Sequence, residues 1–169
     1  MASSIDRLDR LPWRKLAQVC TDTRVPAYER KLAEKRLALR VERLTLGEQV
    51  ALARIAPRAV LGDLANLREP TVFGALLSNP RIRGDDLMGI LQDEDLPPEV
   101  LRLVAEHHRW GGLVPVRVVL VNHRCTPVHT ALTVLADLPR EEVRRLLDQG
   151  ALPPLLEIQA RRLQGDKTE

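Results

Sequence analysis

Apolar residues recur along this chain at helical spacing, in runs of about ten positions bounded by proline or small polar clusters. Trp13, Leu16, Ala17 and Cys20 share one face of a short helix after Pro12. The longest run, Pro26 to Leu44, places Leu32, Leu37, Val41 and Leu44 at apolar positions. Thr45-Leu46-Gly47-Glu48 has the form of a capping box, in which hydroxyl and carboxylate each satisfy the other residue's backbone N–H. It opens a helix through Val50, Leu52, Ala53 and Ile55. Further helices are predicted from Pro57, over Pro70–Asn79, Asp85–Gln92 and Pro97–His108, and from near Pro115, Pro127, Pro139 and Pro153. The pattern amounts to about eleven short helices joined by loops of roughly two to six residues. Proline suits such starts because its missing N–H has no intrahelical partner in the first turn, and its φ is already helical.

Val114 to Val121 (VPVRVVLV) has the composition of a strand. With no second strand to pair with, it is read as a buried helix from which Arg117 reaches out. Composition supports the all-helical reading. Of 169 residues, 44% are hydrophobic and 30 are leucine, while Trp13, Tyr28, Phe73 and Trp110 are the four aromatics. So few aromatics and β-branched alternations exclude a β-sandwich or barrel, and so much leucine excludes disorder.

Charge adds little. The net charge is +3, from 26 basic and 23 acidic residues, short of the concentrated stripe of a dedicated nucleic-acid binder. Cys20 and Cys125 are read as small hydrophobes in a reducing compartment, although one disulfide is conceivable. Met1 to Arg10 is too charged for a signal peptide, and no apolar run approaches the roughly 20 residues of a membrane span. A cytoplasmic location is expected.

An internal repeat gives the architecture. Val72–Asn79 aligns with Pro115–Asn122 at an offset of 43, and an Arg follows each Asn two positions on, at Arg81 and Arg124. Leu87–Asp93 then matches Ala131–Asp137, and Leu96-Pro97 matches Leu138-Pro139. Such a period lies within the roughly 40–47 residues of HEAT and armadillo units. Asn79-Pro80-Arg81…Asp86-Leu87…Leu91…Leu96-Pro97-Pro98-Glu99-Val100-Leu101…Val104-Ala105 resembles the units of bacterial HEAT-like and leucine-rich-repeat-variant proteins. The resemblance extends over about residues 45–163. His123 stands where the loop proline of those units would be, and Gly84 replaces the usual helix-start Ser or Pro. The resemblance implies a right-handed α-solenoid, with 1–44 an N-terminal helical cap, 45–163 the repeat array and 164–169 a disordered tail.

Candidate chemistry is sparse. His107, His108, His123, Cys125 and His129 lie close in sequence, but zinc wants four ligands with short paired spacings, so no metal is assigned. Asp85-Asp86 and Asp93-Glu94-Asp95 suit helix starts, where carboxylates cap free N–H groups. No nucleophile elbow, P-loop or zinc helix occurs, so neither enzyme activity nor a cofactor is expected. Residues 24–43 hold seven basic and three acidic side chains, a local +4, which keeps a nucleic-acid-binding HEAT-like protein as the alternative. The favoured expectation is a non-enzymatic scaffold for an unknown protein partner. By repeat position, its exposed recognition residues are Asn79, Arg81, Trp110, Arg117, Asn122 and Arg124, although packing is the favoured role for Trp110 and C-cap or Asx-turn bonding for the two asparagines.

Overall fold

The computed structural model describes residues 4–150 and 152–165, with side chains from Arg7 onward. Among these residues the secondary structure is entirely helical, with twelve α-helices and two 3₁₀ turns. Two compact units divide the chain between Ile90 and Leu91.

The N-terminal unit contains α1 (Ser4–Asp9), α2 (Trp13–Thr21), α3 (Ala27–Ala38), α4 (Leu46–Ile55), α5 (Leu61–Ala65), α6 (Pro70–Leu77) and α7 (Gly84–Ile90), with 3₁₀ turns at Val41–Arg43 and Arg58–Val60. Helix α2 packs on α3, and α4 on α6. Leu16, Leu37, Leu52, Leu64, Phe73 and Leu76 are fully enclosed between them. The C-terminal unit contains α8 (Pro98–Glu106), α9 (Val114–Asn122), α10 (Val128–Ala136), α11 (Arg140–Gln149) and α12 (Pro154–Gln164). There α9 packs on α8 and α10, and α12 on α10 and α11, around Leu101, Val104, Leu120 and Leu135.

The prolines mark helix starts as expected, but mostly one position earlier. Pro12, Pro26, Pro97, Pro127, Pro139 and Pro153 are N-caps in extended ψ, whereas Pro70, Pro98, Pro115 and Pro154 lie within the first turn. An N-cap proline still offers its carbonyl to the first intrahelical bond, as in Arg30 N–H to Pro26 O at 3.1 Å. Pro80 is the exception, in the turn after α6.

The Thr45 capping box is complete, and its Glu48 carboxylate also accepts from the Trp13 indole N–H at 3.1 Å. The 114–121 segment is helical, as read. The expected single helix over 26–44 stops at Ala38. Beyond it, the Arg40 guanidinium turns back to the carbonyls of Leu11 (2.5 Å) and Asp9 (2.6 Å), and a 3₁₀ turn leads into the Thr45 cap. Of the expected tail, Gln164 closes α12, Gly165 caps it, and 166–169 lie outside the described residues. No helix among the described residues is long and apolar enough to cross a membrane.

Candidate functional site

Loops between helices must satisfy the backbone groups that the helix ends leave over. This chain does so repeatedly with one device. A side chain at or just beyond a helix end accepts the backbone N–H two residues on. Asp22 takes Arg24 N–H at 2.9 Å, Asn79 takes Arg81 N–H at 2.8 Å and Asp93 takes Asp95 N–H at 3.1 Å. His107 takes Arg109 N–H and His123 takes Cys125 N–H, each through Nδ1 at 3.2 Å. Asp and Asn are the usual residues for such turns. Imidazole Nδ1 occupies the branch position of Oδ1, and so replaces it.

In the N-terminal unit the device is buried. Asn79 is fully enclosed, and its Nδ2 donates to the carbonyls of Ala53 (2.7 Å) and Ala56 (3.2 Å) at the end of α4. Arg81 adds a bond to Ile55 O at 3.0 Å. The amide therefore ties the turn after α6 to the end of α4, with no face left for a partner. Asn79 is thus the turn-bonding residue expected of it, and its place among exposed recognition residues is corrected.

In the C-terminal unit the corresponding side chain is His123, not Asn122. Helix α9 runs through Asn122, two residues further than α6 does at the offset of 43, so His123 is the C-cap and Asn122 is exposed. His123 Nε2 bonds Asp93 O at 2.9 Å. Its partners fix the tautomer: a carbonyl only accepts and an amide N–H only donates, so Nε2 carries the hydrogen and Nδ1 is bare. Next to it Arg124 donates from Nε to Glu94 O at 2.9 Å and pairs with the Asp95 and Glu94 carboxylates. Cys125 Sγ lies 3.3 Å from the same Glu94 carbonyl. Asp95 above all holds the Arg124 guanidinium in its charged form.

These bonds fix the walls of a groove of about 360 Å³. Leu91, Gln92 and Glu94 form one side, and Val118, Val119, Asn122, His123 and Arg124 the other. The expected site residues Asn122 and Arg124 thus come together, and sequence reasoning missed His123 as the residue that joins their walls. A loop or cap role for this histidine is legible in the sequence, but its bond to Asp93, 30 positions away, leaves no mark there.

The other two expected residues of this unit do structural work. Arg117 Nε bonds Gly111 O at 2.8 Å and its terminal nitrogens reach Asp137, so it clamps the 107–113 loop to the end of α10. Trp110 is buried, 3% accessible, which agrees with its packing role and takes it out of the expected recognition residues. Its backbone N–H and that of Gly111 both bond His107 O, and the Arg109 guanidinium lies 4.2 Å over its ring. A side chain at Gly111 would meet Ala105 O at 2.0 Å, so only glycine lets the loop close this tightly.

Both cysteines are free. Burial pushes the Cys20 thiol up to about 12, with Glu34 adding to it, which leaves it inert. Among the described residues no three His, Cys, Asp or Glu side chains converge as metal ligands would. No protein-family model, curated protein or solved structure matches this chain.

Proposed function

We propose that this protein is a non-enzymatic helical-repeat scaffold, its units stacked as a right-handed α-solenoid, and that the groove beside α9 holds a segment of a protein partner. The groove carries this reading. Its lining joins aliphatic Leu91, Val118 and Val119 with polar Gln92, Glu94, Asn122 and Arg124. Apolar area interspersed with hydrogen-bonding groups is usual in a protein contact. The walls are joined by hydrogen bonds to backbone carbonyls, so little conformational freedom is lost on binding. The repeat of period 43 supports stacked units, as does the matching use of Asn79 and His123 after α6 and α9. The nucleic-acid reading has less support, because Arg24, Arg36 and Arg40 are drawn into bonds with Asp22, Asp9 and the Leu11 and Asp9 carbonyls.

A photo-crosslinking amino acid in place of Val119 tests the proposal in living cells. It should yield one or a few discrete protein adducts that are absent when the same group replaces the exposed Arg102 of α8. Identical adduct patterns from the two positions would remove the groove as the contact.

A further inference from the structure

Helix α3 carries apolar residues on two opposite faces. Ala33 and Leu37 are buried against the rest of the N-terminal unit. On the other side Tyr28, Leu32, Lys35 and Leu39 follow at i, i+4, i+7 and i+11, which aligns them along about 16 Å of helix. Tyr28 is 64% and Leu39 69% accessible, the two most exposed large hydrophobic residues described. An amphipathic helix normally turns one apolar face inward and a polar face outward. Here the outward face is apolar as well.

Basic charge prevails on that face, with Glu34 the one carboxylate between its two lysines in sequence. Lys31 and Lys35 are exposed, and neither makes an ion pair or side-chain hydrogen bond among the described residues. The neighbouring arginines differ: Arg36 pairs with Asp9 and Arg40 with backbone carbonyls. Glu29, the carboxylate nearest Tyr28, is occupied by Arg7 and by the tyrosine hydroxyl. The stripe therefore presents Tyr28, Leu32 and Leu39 around two free ammonium groups.

We propose that this stripe docks an acidic amphipathic helix of a protein partner. Three turns of leucine-type residues would fill the spaces between Tyr28, Leu32 and Leu39, and flanking carboxylates would meet Lys31 and Lys35. The charge complement decides between possible occupants. Two lysines without further basic residues on the face are too few to hold an anionic membrane. A nucleic acid would use an array of phosphate contacts and would leave Leu32 and Leu39 without a partner. The proposal shares with the groove reading only the expectation of a protein ligand, and the two surfaces have no residue in common.

The test uses the full chain and a fluorescent peptide of about three heptads, with Leu at the core positions and Glu beside them, against a matched peptide with Lys in place of Glu. Binding followed by anisotropy should favour the acidic peptide by at least about tenfold. Lys31→Glu/Lys35→Glu should reverse that preference, and Tyr28→Ala/Leu39→Ser should abolish binding of both. All four positions are exposed, and circular dichroism would confirm that the variants keep their helices. Val119→Glu should leave peptide binding unchanged, which separates this surface from the groove. Equal binding of the two peptides, no binding of either, or loss of binding with Val119→Glu would each overturn the proposal. So would variants that lose affinity for phosphatidylserine vesicles or single-stranded DNA while wild-type protein ignores the acidic peptide.

Discussion

The turn after α6 and the turn after α9 solve one problem with different side chains. Each must satisfy an N–H two residues ahead and fasten itself to a preceding loop or helix end. Asn79 does so from full burial, reaching two carbonyls of the α4 terminus and receiving the Arg81 N–H. His123 does so from a half-buried position, with one carbonyl and one N–H, beside a groove. The difference teaches what each turn is for. A buried amide with both N–H groups and its oxygen engaged is a fastener, costly to disturb and useless for recognition. A half-exposed imidazole at the rim of a groove, with one carbonyl and one N–H as partners, fastens less tightly.

The strongest way to break the comparison is to replace both side chains by leucine. Asn79→Leu strands the Ala53 and Ala56 carbonyls and the Arg81 N–H where water has little access, and is expected to cost about 3 kcal/mol or more. His123→Leu strands one carbonyl and one N–H near solvent and should cost about 1 kcal/mol. Urea unfolding midpoints at unchanged slope measure both. Equal losses would show that burial does not separate the two turns.

Acid should separate the units next. Burial, with His108 and Arg109 beside it, holds His107 below its ordinary value. A histidine depressed in this way contributes stability that is whole above its unfolded value, about 6.5, and is lost as pH falls through its folded value. Its Nδ1 accepts the Arg109 N–H, and protonation sets two donors against each other there. In the N-terminal unit the depressed groups are carboxylates. Asp86 is held low mainly by its bonds to Arg58, and Glu48 by those to Thr45 and Trp13. Their contribution is whole above about pH 4 and falls away only below it. As pH falls below about 6.5, then, amide protection relative to intrinsic exchange should drop around 107–113 while that around α4 and α7 stays unchanged. His107→Asn, which keeps an acceptor without a titration, should remove the effect. An equal loss of protection in both units would refute the assignment.

The parts of this structure that the sequence shows and those it hides differ for a physical reason. Helix starts were legible because proline, and Thr45 with Glu48, act through local backbone geometry. The Val114–Asn122 helix was legible from the want of a partner strand. The end of α3 was not, because it depends on Arg40 meeting the carbonyls of Leu11 and Asp9, residues distant in the chain. The groove was half legible: Arg124 and Asn122 emerged from repeat position, while its wall at Leu91 and Glu94 depends on bonds from His123 that no periodicity encodes. Packing is the favoured reading of Trp110, and the structure bears it out, although repeat position also sets it among the recognition residues. Its burial follows from how closely Gly111 approaches the Ala105 carbonyl.

The smallest effect is expected where one turn is rebuilt as the other. In His123→Asn, Oδ1 stands at the branch position that Nδ1 occupied, so the bond from Cys125 N–H survives. The amide nitrogen falls short of Asp93 O by about one bond length, so that contact weakens or passes to water. The net loss should be less than about 1 kcal/mol, well below that of His123→Leu. Amide exchange of the 91–95 loop reports the change directly, because that loop is held to α9 by His123 and Arg124. If His123→Asn instead destabilises as much as His123→Leu, the reach of Nε2 to Asp93, and not the turn itself, is what the imidazole supplies.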